Sequence, residues 1–366
     1  MRILIVTTVK IGYDGLTNHI LTYIKNMRKD GLQIDLVSAR DIDPDIVPLL
    51  QTIGFNQIFR IECRDTAQLK YFYRLSCLIR KNKYDIVHVH GNSATLAVDM
   101  IAAYFGGCRH RIAHAHTTSC QHTFFNKILK PFFKISYTEA FACGKEAGEW
   151  LFGKNKNVYI IKNGKDLDHF RYSENIRKKI RNELRLADDV IAIGHIAAFV
   201  PTKNHKFMVE VFRQLIKRND CYEMFLYGID GETKAETLEQ IKNLGMEGKI
   251  HYMGAKENIN DYMQAMDIMV LPSWYEGFPS VTEWEISGLP CVLSDRITRE
   301  CNLTGSVRFL PIDKGEQLWV EEILNIDISE REKYRENVDD VFARAGFDIK
   351  TNAKELRDKY FQIARR

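Results

Sequence analysis

No stretch of this chain approaches the roughly 20 apolar residues in a row that a membrane-spanning helix requires. The apolar start Ile3-Leu4-Ile5-Val6 is too short for the core of a secretory signal. Both lacks lead to the expectation of a cytoplasmic protein, with any membrane association peripheral and on the inner face. The eight cysteines, at 63, 77, 108, 120, 143, 221, 291 and 301, form no CxxC pair and no zinc-ligand spacing. Reduced, mostly buried thiols are the expectation, rather than a disulfide framework. Internal repeats, low-complexity segments and nucleic-acid reader motifs are also missing, so no nucleic-acid partner is expected.

What is present is a chain of 366 residues, long enough for two domains with separate cores. The net charge of +4 is unevenly spread. Residues 1–165 carry 23 Lys+Arg against 13 Asp+Glu, a net +10, and residues 166–366 carry 29 against 35, a net −6. A basic half of this kind faces an anionic partner, and an anionic membrane surface fits it better than nucleic acid. The segment 124–134 interleaves phenylalanines with Lys127, Lys130 and Lys134. It reads equally as a membrane-interface helix or as an amphipathic helix packed on the fold with its lysines in water.

Strand-like runs are predicted at 3–8, 34–38, 86–90, 112–116, 140–143 and 158–161, with helices at 16–29, 69–82 and 94–105 between them. The rhythm restarts after residue 188, with strands at 190–196, 224–228, 250–254, 268–271 and 292–294. Alternation of this kind implies an α/β protein of two doubly wound parallel-sheet domains with a cleft between them. The junction is predicted near Asn163-Gly164-Lys165-Asp166, giving domains of 1–165 and 166–346, and residues 347–366 contain a final helix.

The most informative segment runs from Pro272 through Glu276-Gly277-Phe278-Pro279-Ser280-Val281-Thr282-Glu283 to Gly288-Leu289-Pro290. It reads as strand, loop and helix, with Gly288 closing the helix. A loop that feeds a helix beside a strand end offers amide groups to a phosphate, and its carboxylates accept hydrogen bonds from sugar hydroxyls. The segment resembles the signature of the retaining glycosyltransferases of family 4, which have the GT-B fold and include builders of capsule and exopolysaccharide. The resemblance spans nearly the whole chain, is strongest over 194–295, and implies that domain 1–165 binds the acceptor, domain 166–346 the nucleotide-sugar, and that the helix of 347–366 packs back on the first domain.

In that family the first glutamate holds the donor sugar and the second, separated from it by seven residues, holds the ribose. Glu276 matches the first. Only six residues separate Glu276 from Glu283, one fewer than in the family, so Glu283, selected by counting back from Gly288-Leu289-Pro290, and Glu285 both stand as candidates for the second. Gly277, Phe278, Pro279, Ser280 and Thr282 would line the donor. The run Gly194-His195-Ile196-Ala197-Ala198-Phe199-Val200-Pro201-Thr202-Lys203-Asn204-His205 resembles the family's phosphate-binding segment. Lys203 and Asn204 match it, whereas Ala198 stands where the family has arginine; Lys10, Arg296 and Arg299 are candidate substitutes.

In the first half, Gly12 and Gly15 lie in a loop that in the family meets the diphosphate and acceptor. His114 and His116, in Arg111-Ile112-Ala113-His114-Ala115-His116, resemble a family run whose second histidine lies beside the reacting sugar, and His90, with His88, repeats the pattern one strand earlier. Two histidines with no third ligand make no metal site. The resemblance implies a hexosyl- or N-acetylhexosaminyltransferase with His116, Glu276 and Lys203 at the reaction. Its substrates would be a nucleoside diphosphate-sugar, UDP-sugar favoured, and a lipid-linked or growing polysaccharide acceptor, with no cofactor or metal required. The alternative is a weakened or inactive homologue that binds sugar nucleotide or glycan as a regulatory partner, kept open by Ala198.

Overall fold

The computed structural model describes residues 1–12, 14–118, 120, 123–276 and 280–366. The chain divides into two compact units: Met1–Lys165 with Gly346–Arg366, and Asp166–Ala345.

The first unit holds a parallel sheet of β1 (Arg2–Thr7), β2 (Gln33–Ser38), β3 (Ile58–Arg60), β4 (Ile86–Gly91), β5 (His110–Ala115), β6 (Glu139–Ala142) and β7 (Tyr159–Ile160), in the order β3-β2-β1-β4-β5-β6-β7. Both faces are covered, so the central strands are buried and largely apolar, with His88, His90 and His114 as buried polar exceptions. Within β1, Ile3 and Ile5 enter one core and Leu4 and Val6 the other, the period-2 alternation of a pleated strand.

The second unit repeats the plan with β8 (Ile191–Ile196), β9 (Tyr222–Tyr227), β10 (Ile250–Gly254), β11 (Ile268–Leu271), β12 (Cys291–Ser294) and β13 (Val307–Leu310), ordered β10-β9-β8-β11-β12-β13. Two strands, β3 and β13, escape the sequence pattern. They are three and four residues long and lie at sheet edges, where a continuous apolar run is not needed. In each sheet the strand order reverses once, between β1 and β4 and between β8 and β11. Ligands of open α/β sheets gather at the carboxyl ends of the strands flanking such a reversal.

The last helix, Ile349–Ala364, belongs to the first unit and buries Ile349, Ala353, Leu356, Tyr360 and Ile363 in the same core as Ile3 and Ile5. Asp348 caps it by accepting from the amides of Lys350 and Thr351. Gly164 lets the chain pass close to this helix, since a Cβ there would lie 2.9 Å from the Ile349 Cα. Gly346, placed in the second domain by the sequence, lies with the first.

The helix Thr123–Ser136 buries only Phe133 and Ser136. Phe124, Phe125, Phe132 and Ile135 are 52–80% exposed. No described helix is long and apolar enough to cross a membrane.

Candidate active site

The second unit brings two of the expected residues together at its strand reversal. Lys203 follows β8 in a short 3-10 turn, Pro201–Lys203, and Glu276 lies in the loop after β11. The Lys203 Nζ donates to both Glu276 carboxylate oxygens, at 2.6 and 2.7 Å. Their side chains are 22% and 10% exposed, so the pair is largely shielded from water while still reachable.

Backbone geometry holds this arrangement. Asn204 takes a left-handed conformation, φ 58°, that ends the turn and starts the helix His205–Arg218. Its side-chain amide donates to the Pro272 carbonyl at 3.3 Å, and the Trp274 amide donates to the Thr202 carbonyl at 2.8 Å, which ties the two loops together. His205 is buried and stacks on Phe199 with ring centroids 4.2 Å apart, so the motif histidine packs the loop. Ala198 lies in a segment fixed by Phe199, whose amide donates to the Ile229 carbonyl and whose carbonyl accepts from Thr233. Of the candidate substitutes, Arg296 pairs with Asp313 at 2.5 Å and also lies over the ring of Trp274, in the Glu276 loop, at 5.6 Å, whereas Arg299 lies over the Phe309 ring. Lys10, in the other unit, faces Asp43 at 3.7 Å.

The two candidates for the second glutamate separate clearly. Both lie on the helix Val281–Ile286, where Glu283 is half-buried in the first turn. Glu285 is fully buried, and its Oε1 accepts from the Leu303 and Thr304 amides and from the Thr304 hydroxyl, at 2.8–2.9 Å. A carboxylate turned inward to organise residues 303–304 is not free to meet a ribose, so Glu285 is removed as a candidate. Gly288, φ 71°, ends the helix in a close approach, because a Cβ there would lie 2.5 Å from the Arg331 carbonyl oxygen. Thr282 is fully buried, and Ser280 is exposed and makes no side-chain cap. Gly277, Phe278 and Pro279 lie outside the described residues.

Burial raises the Glu285 carboxyl to about 7 from its usual 4.5, against the opposing effect of its hydrogen bonds. A group whose pKa rises on folding gives its full stabilisation below the unfolded value and loses it as pH climbs through the folded one. Relative to wild type, Glu285→Gln is therefore expected to gain roughly 2–3 kcal/mol between pH 4.5 and 8. Urea unfolding followed by fluorescence of the buried Trp284 at the two pH values measures this. A wild-type-to-variant difference independent of pH would contradict it.

In the first unit the strand reversal carries histidines. His88 and His90 alternate along β4, His114 lies on β5, His116 follows it, and His19 comes from the helix Gly15–Asn26. The His90 Nδ1 lies 2.9 Å from the His116 Nε2, and His88 joins the Tyr360 hydroxyl (2.7 Å) to the His114 Nδ1 (3.2 Å). The His19 Nδ1 bonds the Asn163 Oδ1 at 2.8 Å. All but His116 are buried. Burial lowers their pKa values, to about 4 for His19 and about 3 for His88, and well below 6.5 for His90, His114 and His116, so the rings are neutral at pH 7.

His19 is the residue that sequence reasoning missed, and with it the premise of two histidines lacking a third ligand fails. Nothing around it in sequence marks it, because only the packing of its helix against the sheet brings it to His114 and His116. The loop of Gly12 and Gly15 also differs from expectation. Asp14 caps the helix, its carboxylate accepting from the Leu16 and Thr17 amides and the Thr17 hydroxyl. A negative side chain thus already occupies the amides that a phosphate would seek.

Two family profiles match the chain: "Glycosyltransferase Family 4" over residues 13–169 and "Glycosyl transferases group 1" over 176–306. The chain belongs to glycosyltransferase family 4. This family 4 enzyme is 27% identical over 359 residues to EpsF of Bacillus subtilis (strain 168), which bears the name of a glycosyltransferase, covering 94% of this chain and 93% of the relative. It is 26% identical to the UDP-Gal:alpha-D-GlcNAc-diphosphoundecaprenol alpha-1,3-galactosyltransferase of Escherichia coli, over 65% of this chain and 66% of the relative. HepE of Anabaena, solved with UDP, shares its fold with a TM-score of 0.78 at 18% identity, over 99% of this chain and 100% of that one. The chain is thus a glycosyltransferase of polysaccharide biosynthesis with the GT-B fold.

Proposed function

We propose that this glycosyltransferase moves a sugar from a nucleoside diphosphate-sugar, a UDP-sugar first, to a lipid-linked or growing polysaccharide acceptor with retention of configuration and without a required metal. The observation that carries the reading is the Lys203–Glu276 pair at the strand reversal of the second unit. The two charges satisfy each other. A bound donor exchanges that pairing for two matched contacts, its diphosphate accepting from Lys203 and its sugar hydroxyls donating to Glu276. Glu283 takes the ribose, and His116 lines the acceptor side. Capture of charge developing on the leaving diphosphate supplies most of the rate, in line with a neutral histidine cluster poorly suited to acid catalysis at pH 7.

The choice of UDP is supported by HepE, solved with UDP and with UDP-glucose, and by the UDP-Gal enzyme of Escherichia coli, whose name also supports an undecaprenyl-linked acceptor. A thermal-shift comparison of UDP, GDP, ADP and CMP tests it. UDP at about 100 times its Kd adds about 2.7 kcal/mol, a rise of about 5–10 °C, which Lys203→Ala cuts to about half or less. A melting temperature unmoved by every nucleotide would favour the regulatory alternative that Ala198 suggests.

The membrane partner is supported by the helix Thr123–Ser136, where exposed phenylalanines lie among Lys127, Lys130 and Lys134 on the more basic half of the chain. Rings in the acyl boundary and ammonium groups on lipid phosphates suit an anionic interface. Flotation with phosphatidylglycerol vesicles is expected to recover the wild type and to lose Phe124→Glu/Phe132→Glu. Equal recovery of both proteins, or of neither, counts against it.

A further inference from the structure

Among the described residues, His19, His114 and His116 place one ring nitrogen each within 4.8 Å of one another, and His88, His90 and His114 do the same. The first trio has the features of a metal centre. Its outer member, His116, is only partly buried and gives an ion a way in, whereas the second trio is buried throughout. Asn163 accepts from the His19 Nδ1–H, which leaves Nε2 as the nitrogen with a free lone pair, the outer-shell arrangement of metal-binding histidines. The His114 Nε2 is buried with no hydrogen-bond partner, although its ring is oriented through Nδ1 by His88 and, beyond it, Tyr360. A buried, unpartnered ring nitrogen in a cluster of imidazoles is costly unless something supplies it with a partner.

We propose that His19, His114 and His116 form a binding site for a borderline transition-metal ion, zinc foremost, with the fourth position open to water. Three neutral imidazoles suit zinc and exclude magnesium and calcium, which require oxygen ligands. Zinc–nitrogen bonds of about 2.0–2.1 Å put tetrahedral nitrogens roughly 3.4 Å apart, so the rings close inward by about 1 Å when the ion enters. An occupied site holds the ring of His116, so zinc inhibits the transfer proposed above. That consequence rests on the proposed function, whereas metal binding does not.

The test uses the full chain without a polyhistidine tag, stripped with chelator and titrated with Zn2+ in the absence of nucleotide. Binding of about one ion per chain is expected, with Co2+ giving the visible bands of a tetrahedral site. His116→Ala and His19→Gln each weaken binding by about tenfold or more. His251→Ala, in the second unit, and Lys203→Ala bind as the wild type does, so failure of the donor-site reading leaves the metal result intact. His116 is partly exposed, so its variant remains informative if His19→Gln does not fold, as judged by circular dichroism. Absence of stoichiometric binding, or wild-type affinity in a folded His116→Ala, overturns the proposal.

Discussion

Glu276→Ala is expected to lower sugar transfer by about 10²–10³-fold while UDP still raises the melting temperature in full, and Lys203→Ala is expected to lower transfer and to remove about half or more of the UDP shift. The different outcomes follow from which part of the donor each residue meets. Glu276 is assigned to the sugar, so removing it spares the nucleotide. Lys203 is assigned to the diphosphate, and a charge-assisted contact of that kind contributes roughly 1.5–3 kcal/mol to binding. A contact to the sugar that strengthens as the bond to the diphosphate breaks contributes more to the transition state than to binding, which sets the figure for rate at Glu276.

The pair also predicts a sign of coupling. Each single substitution leaves a shielded charge without its partner, because the two side chains are 22% and 10% exposed. Lys203→Ala/Glu276→Ala is therefore expected to be more stable than the sum of the single effects implies. Transfer assays with the three variants, beside their melting curves with and without UDP, decide the matter. Glu276→Ala retaining more than a tenth of wild-type activity would sink the assignment.

The second large effect is acid unfolding that begins in the first unit, near pH 5. Five histidines there are neutral in the native state, with pKa values pushed below 6.5 chiefly by burial. A base with a lowered folded pKa contributes stability that is present above 6.5 and is lost as pH falls toward the folded value. Each histidine then removes about 1.4 kcal/mol per pH unit, so the five together remove about 7, against a typical domain stability of roughly 5–15 kcal/mol.

The second unit contains His195 and His205 lowered in the same way, to about 4 and about 2. Its Glu285, raised to about 7, acts in the opposite direction and offsets part of their loss in acid. Trp150 reports on the first unit, and Trp274, Trp284 and Trp319 on the second. Acid titration of single-tryptophan variants is expected to show the Trp150 transition at the higher pH. Coincident transitions, or an earlier one in the second unit, would show that burial of these histidines does not govern acid stability.

Much of this protein is legible in its sequence because local rules are sufficient for it. A strand buried on both faces is mostly apolar along its length, so the central strands of both sheets stand out despite their buried histidines, and Gly288 marks a helix end because only glycine fits the left-handed turn against Arg331. The motifs around Lys203 and Glu276 are likewise contiguous in sequence, and with them came the family and the fold.

What the sequence could not decide depends on residues distant along the chain. That Lys203 and Glu276 grip each other across 73 residues follows from β8 and β11 being neighbours in the sheet. Glu285 and Glu283 look alike in sequence, but helical rotation turns one to residues 303–304 and leaves the other near the surface. His19 meets His114 and His116 only because its helix covers the sheet face on which those rings emerge. Spacing along the chain sets which residues share an element, and packing between elements sets which of them meet.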